Sequence, residues 1–463
     1  MTDSKSVLIE RDLAHLVHPL HNRKLHAAAA HVWVAGEGAI LTDADGQKYI
    51  DGLSGLWNVV AGHGRPDIVR AAARQMETLA YCSGYAGSSN VPAIELAERL
   101  ARITYPNITR FFFTSGGGES SDTSFKTARY YWRLKGQPEK TKVISRQWGY
   151  HGVTLAAMSA TGLAAYWPMF EPRVPGFIQI ASPYPYRYPA PVCMGEGGLG
   201  EGDIGKGGVS QGVAAANELE QAILREGADT VGMFLAEPVQ GAGGVIVPPD
   251  DYFPRIREIC DKYDVLLVSD EVITGFGRTG KLFGLQHWGV EPDMILFAKA
   301  ITSGYFPFGG VGMNEKIANV LDEGDMPWMH AYTYSGHPVG CAVALAMLDI
   351  IEHEDFPGQA AEKGNYLLKA LKGALESHSH VGDVRGKGLM CGIEFVQDKA
   401  AKNEFSPADQ IGSKINSAAQ KRGLFSRLRG ESVFCLAPPV ITPYPILDQI
   451  VEILAESVGD VLG

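Results

Sequence analysis

VLLVSDEVITGFGRTG, residues 265–280, changes at Asp270 from a run of apolar and small residues to an acidic, glycine-rich sequence. A short apolar run bounded by turn residues predicts a buried strand over residues 265–269. MILFAKAITSGYFP, residues 294–307, has the same form and predicts a second strand over residues 294–298, which ends at Lys299. Each strand therefore delivers one charged side chain, a carboxylate or an amine, at its carboxyl end.

The same pattern recurs elsewhere in the chain. Residues 110–114 and 230–236 predict two further short strands. Residues 119–135 predict a helix that follows a glycine turn, and a second helical stripe, ending near Gly227, is formed by Val213, Ala216, Leu219 and Ile223. Strands that alternate with helices indicate an α/β fold with a mainly parallel sheet.

The C-terminal third has a different organisation. Residues 340–376 predict a helical stretch, and GDVRGKGLMCGIEF, residues 382–395, predicts a short antiparallel pair of strands. These elements suit a smaller α+β lobe. The length of 463 residues also exceeds what one hydrophobic core usually serves, so we expect two lobes.

Composition excludes several classes of function. The formal net charge is −11 and no cluster of Lys or Arg is visible, which argues against binding to nucleic acid or to an anionic membrane. No apolar run approaches the length of a membrane span, and the N-terminus lacks the apolar core of a secretory signal. The six cysteines are scattered without a CxxC pair, so we expect reduced thiols in a cytoplasmic protein.

Two glycine motifs and a group of histidines are judged not to be functional. Within the long excursion at residues 182–212, Gly195, Gly197 and Gly200 satisfy GxGxxG, and Gly200, Gly205 and Lys206 satisfy most of a P-loop. No buried strand precedes them and no helix follows, as both motifs require. The histidines near the N-terminus match no metal-ligand spacing and have no Cys or carboxylate partner in the pattern, so we expect a solvated or interface segment: His15, His18, His21, His26 and His31.

A constellation of three features fits one reaction. The turn TSGGG, residues 114–118, lies between a predicted strand and a helix, where free N–H groups and the helix dipole bind anions, although such glycines also suit a purely structural turn. Lys299 follows Asp270 by 29 residues at a neighbouring strand end. A desolvated amine forms a Schiff base with an aldehyde, and a carboxylate keeps a pyridine nitrogen protonated. Separately these two residues suit a salt bridge, but together with the turn they match the needs of pyridoxal phosphate (PLP).

The chain resembles the class III PLP-dependent aminotransferases, in particular the ω-amino acid or amine:pyruvate branch. The resemblance is carried by motifs along most of the chain: GLSGLWNVVAGH (52–63), TSGGGESSDTSFKTAR (114–129), WGYHG (148–152), AEPVQGAGGVI (236–246), DEVITGFGRTG (270–280), FAKAITSGYFP (297–307) and YTYSGHPVGCA (332–342). It implies PLP-dependent transferase fold type I, with a large domain over residues 60–330 and a small domain over residues 1–59 and 331–463. It also implies a homodimer with shared active sites.

The resemblance assigns roles in cofactor binding. Lys299 resembles the Schiff-base lysine, Asp270 the pyridinium partner, and Gly117 and Gly118 the phosphate loop, although the family commonly has Ser at position 118. The remaining assigned residues are a threonine that reaches the neighbouring subunit's phosphate, two residues that cover the faces of the ring, and an acid near the cofactor: Thr333, Tyr150, Val272 and Glu237.

Substrate binding is assigned in the same way. Trp57, Tyr85 and Val153 fall where related transaminases line the pocket, although the two aromatic residues also suit core packing. Arg427 resembles the mobile arginine that pairs with a substrate carboxylate, with Arg429 as an alternative. No metal is implied. Ile273, where the ornithine branch has glutamine, argues against ornithine-type substrates.

These residues predict a ping-pong transamination between an amine donor and an oxoacid acceptor such as pyruvate. Lys299 moves the proton, and Asp270 keeps the cofactor ring cationic. Alternatives are a PLP enzyme of the same fold that performs decarboxylation or acts as an aminomutase, a nicotinamide-dependent dehydrogenase that uses the GxGxxG match, and a non-catalytic protein that kept the fold.

Overall fold

The computed structural model describes residues 4–20, 23–24, 26, 30–85, 87–188, 209–324 and 327–463. The two glycine motifs at residues 195–206, together with His21, lie outside the described residues. The strands are β1 Trp33–Glu37, β2 Ile40–Asp43, β3 Lys48–Asp51, β4 Ile108–Thr114, β5 Lys142–Arg146, β6 Phe177–Ile180, β7 Val231–Ala236, β8 Leu266–Asp270, β9 Met294–Ala298, β10 Gly309–Asn314, β11 Val381–Gly386, β12 Cys391–Phe395, β13 Leu424–Phe425, β14 Arg427–Arg429 and β15 Val433–Leu436.

Helices surround these strands. The α-helices are α1 Lys5–His15, α2 Pro66–Thr78, α3 Val91–Ile103, α4 Gly117–Leu134, α5 Leu155–Ala160, α6 Gln211–Glu226, α7 Tyr252–Lys262, α8 Glu315–Asp322, α9 Pro338–His353, α10 Phe356–Leu375, α11 Ile411–Lys421 and α12 Tyr444–Leu462, with a helical turn at Ser54–Trp57 and 3₁₀ turns that include Lys299–Thr302. No helix among the described residues is long and apolar enough to cross a membrane.

The central sheet has seven strands in the order β4-β10-β9-β8-β7-β5-β6. Its strands pair in parallel except β10, which runs antiparallel to both β4 and β9. The predicted mainly parallel α/β sheet is therefore confirmed. Strand β10 was not predicted because its sequence, GGVGMN, has few apolar residues, yet a Cβ at Gly310 would collide with the ring of Phe297. Glycine is needed there for close packing of the strands.

Two smaller sheets contain both ends of the chain. The first has the order β1-β2-β3-β13, and β13 joins it in parallel through Leu424 and Ile50. The second, β11-β12-β15-β14, is antiparallel, and its β11–β12 pair confirms the pairing predicted for residues 382–395. The N–H of Ala437 donates to Gly52 O at 2.7 Å, so the two chain ends also contact each other next to the central sheet.

The helical stretch predicted over residues 340–376 is formed by two helices. Helix α9 ends at His353 and α10 begins at Phe356, with Asp355 between them at φ 47°. Pro357 has no N–H to donate to the carbonyl of His353, as a continuous helix would require, but it is tolerated in the first turn of a new helix. The Asp355 side chain accepts from Gly358 N at 3.1 Å and caps that start.

The N-terminal histidines also differ from the expectation, because a carboxylate does join them. Asp12 Oδ2 lies 2.9 Å from Nε2 of His18 and 2.6 Å from Nε2 of His26. The two imidazole rings stack with their centroids 3.5 Å apart. Asp12 lies on α1, and His18 follows that helix, so the contact depends on how the chain turns back rather than on sequence spacing. Two N–H donors on one carboxylate oxygen account for this arrangement.

Candidate active site

Adjacent strand ends bring the predicted amine and acid into one cavity. Strands β8 and β9 pair in parallel with Asp270 opposite Leu296, so Asp270 and Lys299 leave the sheet at the same edge. In open α/β sheets this edge is the usual ligand crevice. A cavity of about 410 Å³ opens there, lined by residues of four groups: the glycine turn 115–118, the loop 150–154, the strand ends with Glu237, Asp270 and Lys299, and the segment around Phe306 and Phe308.

Lys299 is held in an environment that favours its uncharged form. Burial lowers its pKa to about 8, and the positive charge of Arg427 acts in the same direction, while Asp270 and Glu237 partly oppose the shift. Its backbone has φ 50°, in the left-handed region, directly after β9. Such strain is typical of functional positions that the surrounding packing holds in place. The amine is therefore available as a nucleophile close to neutral pH.

Asp270 is oriented by His151, which the sequence reasoning did not assign although its motif, WGYHG, was recognised. The two residues are each 3% exposed, and His151 Nδ1 lies 2.7 Å from Asp270 Oδ2. Asp270 Oδ1 accepts from the N–H of Val272 at 3.1 Å. A carboxylate acceptor implies that the imidazole carries its proton on Nδ1. A second hydrogen bond joins His151 N to Thr161 Oγ1, so the loop that carries the imidazole is itself anchored.

Glu237 braces the loop that carries Tyr150. Its Oε1 accepts from Tyr150 N at 2.9 Å and its Oε2 from Gly241 N at 2.9 Å. Burial raises the pKa of Glu237, and Asp270 adds to the effect while His151 opposes it. The Tyr150 ring lines the cavity, and burial raises the pKa of its phenol. The structure thus places Glu237 as a support for the aromatic residue and also beside the cavity.

The glycine turn forms an open cradle at the N-terminus of α4. A Cβ at Gly116 would have no heavy atom within 4 Å, whereas a Cβ at Gly117 would lie 3.1 Å from Val272 Cγ1. Gly152, at φ 126°, faces the cradle, and a Cβ there would lie 2.8 Å from Gly118 Cα. Bare backbone at a helix N-terminus binds a phosphate through free N–H groups and the helix dipole. The cradle, the buried acid and the amine together fit PLP.

Four predicted substrate or cofactor residues are not on this cavity wall: Trp57, Tyr85, Thr333 and Arg427. Trp57 is 2% exposed in the core, and its neighbour Asn58 lines the cavity instead. Tyr85 and Thr333 are exposed and lie together elsewhere on the surface, where the hydroxyl of Tyr81 donates to Thr333 O at 2.9 Å. Val153, by contrast, lines the cavity and is 60% exposed.

The two candidate arginines face different neighbours. The positive charge of Arg427 interacts with the amine of Lys299 and with the phenol of Tyr150. Arg429 stacks on the ring of Trp148, with its guanidinium carbon 3.9 Å from the ring centroid, and among acidic residues it interacts most strongly with Glu394. Of these two arginines, only Arg427 interacts electrostatically with the cavity residues Lys299 and Tyr150. The sequence could not distinguish two arginines on one short strand.

The Aminotransferase class-III family matches residues 23–458, and the chain belongs to that family. Its members depend on PLP, so the chain is a PLP-dependent transaminase. This family membership excludes two of the alternatives, a nicotinamide-dependent dehydrogenase and a non-catalytic protein of the same fold.

Individual relatives cover nearly the whole chain. A thermostable (S)-enantioselective omega-transaminase from Thermomicrobium roseum is 47% identical, with a TM-score of 0.93 and 100% of both chains covered. An amine transaminase from an uncultivated Pseudomonas species, solved in the PLP-bound form, is 38% identical with a TM-score of 0.90 and covers 96% of this chain and 99% of its own. Putrescine–pyruvate aminotransferase from Pseudomonas aeruginosa is 40% identical over 93% of this chain and 91% of that protein.

Proposed function

We propose that this transaminase moves an amino group from an ω-amino acid or amine to an oxoacid such as pyruvate. The observation that carries the proposal is the placement of Lys299 and Asp270 at neighbouring strand ends, in one cavity with the glycine cradle. The names of the relatives, a putrescine–pyruvate aminotransferase, an omega-transaminase and an amine transaminase, support this substrate class.

Each cavity residue has a role in this reaction. Bound PLP supplies an electron sink for cleavage of a bond at the substrate's amine-bearing carbon. Lys299 would hold the cofactor through its amine and would move the proton at the substrate's amine-bearing carbon. Asp270 keeps a proton on the ring nitrogen. Gly117 and Gly118 bind the phosphate through backbone N–H groups. The roles of Tyr150 and Val272 are to pack on the two ring faces, and that of Glu237 is to hold the Tyr150 loop.

We propose Arg427 as the residue that binds the carboxylate of the oxoacid. Its charge acts on the cavity, and among the described residues its guanidinium has no hydrogen bond or ion pair, so it is available for a ligand. A planar guanidinium binds a carboxylate through two parallel hydrogen bonds. Val153 supplies an apolar part of the wall for the amine, and Trp57 shapes the pocket from behind Asn58.

We further propose a homodimer in which Tyr85 and Thr333 complete the active site of the partner subunit. Both residues are exposed and lie away from the cavity of their own chain, beside a second surface cavity lined by Tyr85, Trp328, Met329 and Tyr332. Met329 is 82% exposed, and exposed apolar patches commonly mark protein contacts. Mixing inactive Lys299→Ala subunits with inactive Thr333→Val subunits should restore part of the activity if sites are shared, and no restoration would contradict it.

The division into a large domain at residues 60–330 and a small domain from residues 1–59 and 331–463 is part of the proposal. It is supported by the central sheet, whose strands lie between Ile108 and Asn314, and by the two sheets built from the chain ends. A cytoplasmic location is supported by the cysteines in the described part of the chain, all five of which have free thiols: Cys82, Cys260, Cys341, Cys391 and Cys435.

The direct test is an amine donor panel assayed with pyruvate and the PLP-loaded enzyme. Formation of alanine with a matching amount of ketone or aldehyde from the donor is the expected result. Release of carbon dioxide from an amino acid, or an isomerised amine without alanine, would favour the decarboxylase or aminomutase alternative. Lys299→Ala should abolish turnover and the visible absorbance of the lysine-bound cofactor, and a variant that retains both would overturn the assignment of Lys299.

A further inference from the structure

The three glycines of the phosphate cradle offer no side-chain hydroxyl to a phosphate. Gly116, Gly117 and Gly118 have no side chain, so they offer only backbone N–H groups. The hydroxyls of the serines that follow are engaged in other hydrogen bonds. Ser120 Oγ bonds Thr114 Oγ1 at 2.9 Å, and Ser121 Oγ donates to His151 O at 2.7 Å.

Other hydroxyls on the cavity wall are also engaged. Thr302 Oγ1 donates to Phe306 O at 2.7 Å. Burial raises the pKa of Asp122, and the hydroxyl of Thr154 beside it opposes that shift. A phosphate in the cradle would have to break the Thr302 bond, or draw the Thr154 hydroxyl away from Asp122, to gain a hydroxyl contact from either residue.

Ser115 differs from all of these residues. It lies between β4 and α4, lines the cavity, and its backbone N–H donates to Glu119 Oε2 at 2.7 Å. Within the part of the chain that the structure describes, its hydroxyl has no hydrogen-bond partner. The Glu119 contact holds the Ser115 backbone in position, so the side chain is a prepositioned donor beside the cradle.

We propose that Ser115 supplies the side-chain hydroxyl that binds the cofactor phosphate, the contact that a serine at position 118 would otherwise make. A hydroxyl hydrogen bond to a charged oxygen is stronger than one between neutral groups, which gives this residue a measurable share of cofactor affinity. The inference rests on the proposed function, since that function assigns the phosphate to Gly117 and Gly118.

The cradle has room for a serine side chain at position 118, which allows the proposal to be tested. A Cβ at Gly118 would lie 3.8 Å from Thr154 Cγ2 and 3.9 Å from Gly152 Cα, both ordinary van der Waals contacts. The glycine lies in the first turn of α4, and its φ is not in the left-handed region. Gly118→Ser should therefore fit without displacing its neighbours, and it offers a hydroxyl from a second position.

The experiment compares two ligands on the cofactor-free enzyme, PLP and pyridoxal, which has the same aldehyde but no phosphate. Ser115→Ala should weaken PLP binding by about ten- to a hundredfold and leave pyridoxal binding unchanged, as measured by equilibrium titration of absorbance or tryptophan fluorescence. Ser115→Ala combined with Gly118→Ser should regain most of the PLP affinity. Ser121→Ala is the matched control, because its hydroxyl is bonded to backbone, and any loss it causes should be equal for both ligands.

Two results would overturn the proposal. One is a Ser115→Ala enzyme whose PLP affinity stays within twofold of wild type. The other is an equal loss for PLP and pyridoxal, which would show a structural role rather than a phosphate contact. Neither result bears on the proposed function, because that function fails only if the wild-type enzyme, loaded with PLP, makes no alanine from pyruvate and an amine.

Discussion

Replacement of His151 by leucine should impair catalysis through Asp270, although His151 is assigned no contact with substrate. The imidazole donates from Nδ1 to Asp270 Oδ2 at 2.7 Å, and both residues are 3% exposed. Leucine removes the donor and leaves a buried carboxylate oxygen without it. The carboxylate then keeps only the N–H of Val272 as a described partner and is free to turn away from the ring nitrogen.

The expected magnitude follows from the kind of hydrogen bond that is lost. A hydrogen bond to a charged group contributes about 1.5 to 3 kcal/mol, and more than that average is lost when the remaining partner stays buried. If the loss falls on the position of Asp270, kcat/KM should decrease by roughly ten- to a hundredfold. His151→Asn is the matched control, because its side-chain amide places an N–H close to the position of Nδ1 and should keep most of the activity.

The assay is kcat/KM for an amine donor with saturating pyruvate, with the cofactor content of each variant fixed by absorbance. Thermal unfolding of the loaded enzyme, measured in parallel, corrects for the folded fraction. A leucine variant with wild-type kcat/KM per bound cofactor would refute the reasoning. So would an asparagine variant that loses as much activity as leucine while remaining equally stable, because the retained N–H would then have no value.

Three further predictions address the amine, the cradle and the arginine pair. Burial lowers the pKa of Lys299 to about 8, so the neutral amine is the minor form below that pH. The rate of PLP capture by the cofactor-free enzyme, measured by stopped flow, should therefore rise about tenfold per pH unit up to pH 8 and then level off. A flat profile between about pH 6 and 9 would contradict the lowered pKa of Lys299. Gly152→Ala places a Cβ 2.8 Å from Gly118 Cα at φ 126° and should lower the free energy of unfolding by about 2 kcal/mol or more and weaken PLP binding; Gly136→Ala, at φ 73° with no neighbour within 4 Å, is the control, and equal losses of stability and affinity in both would disprove the clash. Arg427→Leu should raise KM for pyruvate at least tenfold and have little effect on KM for a carboxylate-free amine, whereas Arg429→Leu should leave the ratio of the two KM values unchanged. Steady-state kinetics with the two substrates varied in turn measures both values, and a larger effect of Arg429→Leu on KM for pyruvate would reverse the assignment.

Much of the fold was predictable because its signals are local. The apolar runs before Asp270 and Lys299 became β8 and β9 within one residue of the predicted ends. The glycine turn and the helix after it were also predicted, and the helix begins at Gly117, two residues earlier than expected. Strand β10 was missed because its glycines remove the apolar pattern, and their value appears only against the rings and backbone of β4 and β9.

The site shows the same division more sharply. His151 lies 119 residues from Asp270, and a histidine next to a tyrosine and a glycine has no local feature that marks it as the partner of that acid. Asp12 likewise joins His18 and His26 only because the chain turns back on itself. Such contacts depend on the distances between distant segments, which no spacing along the chain encodes.

By itself, the sequence determined the class of chemistry: an amine and an acid at the ends of two buried strands, and a glycine turn before a helix, are local patterns whose meaning follows from backbone geometry. Only the tertiary structure decided how that chemistry is tuned. Burial lowers the pKa of Lys299, packing selects Arg427 over Arg429 as the cation that acts on the cavity, and the exposed position of Thr333 directs it away from its own site. The physical reason is that desolvation and electrostatic interaction depend on three-dimensional distance and on exclusion of water, both of which arise only when the chain has packed.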